Sequence, residues 1–96
     1  MTWEVILKAV KFLKANQRLR IMEYMKQQNN RPMSALQILD AIGREFRQFP
    51  TRVRLDMILK KDAESPDGDF VISYDENMRR PNFDFIRLYS LREKNE

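Results

Sequence analysis

The feature that most constrains this chain is a change of hydrophobic period at one short turn. Before it, apolar residues recur every three or four positions, as on the buried face of a helix; after Gly68 they alternate, as on a strand. The boundary is Glu64-Ser65-Pro66-Asp67-Gly68, a run of turn-forming residues. Helices therefore come first and strands last, which is an α+β order rather than alternating α/β. At 96 residues the chain has room for one such domain.

Four helical segments precede the turn. Trp3, Ile6, Leu7, Val10 and Leu13 predict a helix over 3–14, with Thr2 as N-cap and Glu4 in its first turn. Val5, Ala9 and Phe12 give it a second apolar side, so it wants two partners, its own core and a second copy of the chain. Trp3, Val5, Ile6, Ala9, Val10, Phe12 and Leu13 are the dimerisation candidates, and a homodimer is expected. Asn16 either separates this helix from the next or lies within one continuous helix. Gln17 to Gln28 carries Leu19, Ile21, Met22, Tyr24 and Met25, and ends at Asn29-Asn30-Arg31-Pro32. Ser34 caps a third helix and Gln37 completes a capping box. Its stripe is Ala35, Ile38, Leu39, Ile42 and Phe46, and it ends either at Gly43 or at Phe46. The fourth helix runs from Pro50, or from Thr51 as cap, to Lys61, with Leu55, Ile58 and Leu59 inward and Val53 and Met57 at the flanks.

After the turn, Phe70, Ile72 and Tyr74 alternate with polar or smaller partners, and Phe83 to Leu91 repeats the pattern. Glu76 to Asn82, with Asn77, Pro81 and Asn82, suits a hairpin tip.

Composition narrows the chemistry. Cysteine and histidine are both absent, which excludes disulfides and thiolate metal sites and removes the commonest general base. Asp67 with Asp69, or Asp75 with Glu76, could share a divalent metal, but no further carboxylate stands at motif spacing. Gly43 and Gly68 are the only glycines, too few for a phosphate-cradling loop. The expectation is a binding protein, not an enzyme, with no metal or cofactor. No apolar run approaches the roughly 20 residues of a membrane span. Glu4, Lys8, Lys11 and Lys14 interrupt the apolar N-terminus, and no small-residue cleavage site follows, so a cytoplasmic protein without a membrane partner is expected. Residues 1–61 hold thirteen Lys/Arg against five Asp/Glu, whereas 62–96 hold five against nine. A basic helical part followed by an acidic tail fits a polyanion-binding face on the first part.

Three helices followed by a hairpin is also the layout of a winged helix. Asn16-Gln17-Arg18-Leu19-Arg20-Ile21-Met22-Glu23-Tyr24-Met25 resembles the first helix of bacterial winged-helix repressors of the ArsR and MarR kind. Pro32-Met33-Ser34-Ala35-Leu36-Gln37-Ile38-Leu39 resembles their loop and second helix. The resemblance covers roughly 16–91 and is one of pattern. It implies an α+β winged helix, a three-helix helix-turn-helix core with a C-terminal β-hairpin wing, here with an additional N-terminal helix. The chain divides accordingly into an N-terminal helix over 1–15, a winged-helix domain over 16–91 and a frayed tail over 92–96.

The resemblance further implies that the helix over 50–61 is a recognition helix for double-stranded DNA. Gln48, Thr51, Arg52 and Arg54 then stand where side chains reach base edges, and Lys60 and Lys61 where they meet phosphates. The wing over 76–82 would present Asn77, Arg79 and Arg80 to the backbone or minor groove. Against this stand Asp75, Glu76 and Asp84 near the tip and Asp62, Glu64, Asp67 and Asp69 before the hairpin, since acids beside phosphates cost affinity. The alternative is a protein-interaction module using the two-sided first helix and the aromatics Phe83, Phe85 and Tyr89.

Overall fold

The computed structural model describes residues 13–79 and 85–93. Three helices, α1 (Ala15–Gln27), α2 (Ala35–Ile42) and α3 (Arg52–Glu64), precede an antiparallel pair, β1 (Phe70–Arg79) and β2 (Phe85–Leu91). The helix expected over 3–14 lies outside the described residues, apart from its last two positions. Leu13 packs against the core of its own domain, so that dimerisation candidate has an intramolecular partner.

Each helix boundary has a local cause. α1 begins after Lys14, whose N–H donates to Gln17 Oε1 at 3.0 Å, and Asn16 sits inside the first turn. Gln17, Ile21 and Met25, four apart, form its buried line, while Leu19 points outward, 65% exposed. The helix closes where Asn29 and Asn30 take positive φ, which asparagine tolerates better than most residues, and Asn30 N–H donates to Met25 O at 2.7 Å. In α2 the expected capping box is present: Gln37 N–H donates to Ser34 Oγ at 3.2 Å, and Ser34 N–H to Gln37 Oε1 at 2.8 Å. α2 ends at Ile42 and tightens into a 3₁₀ turn over Gly43–Glu45. Phe46 is extended and stacks on Phe49, centroids 5.5 Å apart, instead of continuing the helical stripe. Thr51, not Pro50, caps α3, accepting from Arg54 N–H at 3.4 Å.

The hairpin register pairs Phe70 with Leu91, Ile72 with Tyr89 and Tyr74 with Arg87, slips, and resumes at Arg79 with Phe85. β1 thus runs four residues into the segment expected as the tip, and Asn77 and Arg79 are strand residues. On its other edge β2 is bonded by the segment between α1 and α2. Met33 and Tyr89 exchange two backbone hydrogen bonds (3.0 and 2.7 Å), and the Asn30 amide bonds both the N–H and the carbonyl of Leu91. These contacts satisfy groups that an edge strand would otherwise leave open.

The core gathers Ile21, Met25, Ile38, Ile42, Leu55, Leu59, Phe70 and Tyr89, with Met33 and Ala35 at its margin. Tyr89 is completely buried and does not serve as an exposed aromatic. Arg92, expected in the frayed tail, is tied down: its guanidinium donates to the carbonyls of Pro66, Ala63 and Phe70, and its N–H to Asp69 O. Gly68 is required for contact rather than conformation, because a Cβ there would lie 1.9 Å from Asp62 O. The whole is a small α+β fold whose order of three helices and a hairpin is compatible with a winged helix.

Candidate nucleic-acid interface

α3 packs one side on the core and leaves the other open. Val53 and Met57 each lie two positions from Leu55, hence roughly 200° round the helix from it. They are 59% and 52% exposed and form the crest of the open face, not the flank of the core. Arg52, on one side of the crest, lines a cleft with Ser34, the cap of α2, Leu36 and Gln37 of α2 and Ile86 and Arg87 of β2. Arg54 and Lys61, seven residues apart, line the hollow on the other side together with Arg18. The two arginines of α3 therefore flank one exposed ridge.

Other expected contacts sit differently. Gln48 is exposed, and its carbonyl accepts from the buried Gln17 Nε2 at 2.6 Å, which ties the segment before α3 to α1. The Thr51 hydroxyl oxygen caps α3, so its expected contact with a base or phosphate would be made by a group already bonded to the helix. Lys60 pairs with Glu64 one turn on, at 3.7 Å. Asn77 and Arg79 belong to β1, whereas Arg80 lies outside the described residues, as do Trp3, Val5, Ile6, Ala9, Val10, Phe12 and Phe83.

The acids around α3 are mostly engaged internally. Arg18 bonds both Asp62 and Asp69 at 2.9 Å and lies 5.6 Å over the Phe70 ring. Burial lowers the Arg18 pKa, but its bonds to the two carboxylates outweigh that and hold it above the ordinary value. Asp62 Oδ2 also accepts the N–H groups of Asp69 and Phe70, pinning the start of β1 to the end of α3. Arg20 chelates Glu45 through two bonds of 2.7 and 3.0 Å, which depresses the Glu45 carboxyl pKa. Asp56, on the inner side of α3, takes the Arg87 guanidinium and the Tyr89 hydroxyl, the latter at 2.5 Å. Burial and then the Asp56 carboxylate raise the Tyr89 pKa far above its ordinary value. This cluster clamps the hairpin strand β2 to α3.

Set against those pairs, Arg44 and Arg47 in the turn and Arg52, Arg54 and Lys61 on α3 enter no salt bridge among the described residues. Arg44 and Arg47 escape sequence reasoning because the stretch from 44 to 49 has no clear period. The exposure of Val53 and Met57 was available from helical phase, since both stand opposite Leu55. The Asp56–Arg87 pair joins positions 31 apart and leaves no local signal.

Comparison with known proteins adds no family: no family model matches the chain, and no curated protein or solved structure matches it significantly. Among the described residues, no helix is long and apolar enough to cross a membrane, and no group of three or more acidic side chains could hold a metal ion.

Proposed function

We propose that this chain is a sequence-specific binder of double-stranded DNA, a small transcriptional regulator acting as a dimer, with α3 in the major groove. The observation that carries the reading is the distribution of charge around α3. Asp56, Asp62, Asp69 and Glu45 are held by arginines of the fold, while Arg44, Arg47, Arg52, Arg54 and Lys61 are in no salt bridge with the described acids. An open helix face flanked by Arg52 on one side and by Arg54 and Lys61 on the other suits a groove walled by phosphates. Of the acids that stand against DNA binding, Asp62 and Asp69 are paired with Arg18 and Glu64 with Lys60, and a carboxylate already paired repels phosphate less than a free one.

Titration of fluorescent random duplex DNA across a salt series tests this. Four or five neutralised phosphates give a log–log slope of about −4. No binding at low salt, or a slope near zero, overturns the reading. Dimerisation through the segment before Leu13 is tested by light scattering. The chain beginning at Leu13 should have the monomer mass and the full chain the dimer mass; a dimeric truncated chain or a monomeric full chain rejects dimerisation through that segment.

A second reading, a protein-interaction module, is favoured by one observation. Leu36, Val53 and Met57, respectively 47%, 59% and 52% exposed, border a single cleft beside α3. Apolar exposure of that kind also marks protein-binding surfaces. Absence of duplex binding would favour it.

A further inference from the structure

Arg52 and Arg54 account for charge and hydrogen bonding on the open face of α3, but not for its crest. Val53 and Met57 present apolar side chains to solvent in the first two turns of the helix, the part that reaches base edges when a helix enters a major groove. They are four residues apart, about 6 Å along the axis, so they lie on the same line and span nearly two base-pair steps. The edge chemistry of the major groove contains one apolar group, the thymine C5-methyl. A crest without hydrogen-bonding capacity, flanked by cations in no salt bridge among the described residues, matches a thymine methyl between phosphate-lined walls.

Resting on the DNA-binding reading, we propose that Val53 and Met57 are specificity-determining residues that read thymine methyl groups. Arg52 and Arg54 hold the helix in the groove on either side. Neither apolar side chain distinguishes bases by hydrogen bonding, so the selectivity they add is for the methyl itself: thymine over cytosine and over uracil. The flanking arginines contribute affinity that does not depend on that methyl.

The test uses the full chain. A preferred duplex is selected from a random pool, and each thymine is then replaced singly by deoxyuridine, which removes the methyl and keeps the base pair. One or two positions should lose affinity by about fourfold each. Val53→Ala and Met57→Ala should bind the thymine duplex more weakly, and each should become indifferent to uracil at one of those positions. Both residues are exposed, so the melting temperature of either variant should stay near that of the parent, which separates lost readout from lost folding. Duplex binding with no uracil effect at any position overturns the inference and leaves the DNA-binding reading standing. Failure to bind any duplex at low salt overturns both.

Discussion

Asp56 shows how a single residue can link the fold to the proposed interface. It sits on the inner side of a helix whose outer side is open, and it holds Arg87 and Tyr89 from the hairpin strand β2. Removing it would leave the Arg87 guanidinium and the Tyr89 hydroxyl without their shared acceptor, and Asp56→Ala should cost about 3 kcal/mol in chemical denaturation. Tyr89 supplies a cleaner signature. Its folded pKa is raised by burial and by Asp56, so above pH 10 an unfolded chain loses that proton while the folded chain keeps it. Folding then retains a proton that unfolding releases, and stability falls as pH rises past the unfolded value of about 10. Melting temperatures between pH 8 and 11 should fall more steeply for the parent than for Tyr89→Phe. Parallel curves would mean that the hydroxyl is not held as described. Sequence placed Tyr89 correctly on a strand but on the wrong side of it. A tyrosine in an alternating run has no local mark of whether its hydroxyl meets water or a carboxylate 33 residues away.

At the scale of elements, the helix ends were legible wherever their chemistry is local. The capping box of Ser34 and Gln37, the halt at Asn29 and Asn30, and the turn at Gly68 all act within a few residues. The sequence decided less where no single local signal prevails. α2 stops at Ile42 because the chain turns through a 3₁₀ segment and stacks Phe46 on Phe49, although Phe46 keeps helical register. Nine residues, 43–51, therefore separate α2 from α3, longer than the three- or four-residue turn of the simplest helix-turn-helix. β1 continues to Arg79 through its register slip, although Glu76 and Asn77 read as loop by composition. For α3 the two flanks imply different roles. Arg52→Ala should erode preference among duplexes more than bulk affinity, whereas Lys61→Ala should weaken all sequences alike, by roughly threefold to tenfold. Binding of one selected and one scrambled duplex by each variant distinguishes these effects, and identical losses on both duplexes for Arg52→Ala would contradict the assignment.

For the molecule as a whole, the fold rather than position in sequence decides which charges are paired. The acidic second part of the chain looked opposed to a polyanion, yet Asp62 and Asp69 meet Arg18 of α1, and Asp56 of α3 meets Arg87 of β2. These pairs knit helices and hairpin together and leave cations around α3 outside any salt bridge with the described acids. The segregation was invisible to a count of charges, because it depends on which ends of the chain the fold brings together. Its consequence is best measured as the salt dependence of duplex binding in the parent and in an Arg54→Ala/Lys61→Ala variant, with Lys26→Ala as a control. Lys26 lies nine residues along α1 from Gln17, which contacts the segment before α3, and so about 13 Å away along the axis. The log–log slope should become shallower by about 2 in the double variant and stay unchanged in the control. Equal slopes in all three proteins would contradict the placement of DNA on the open face of α3.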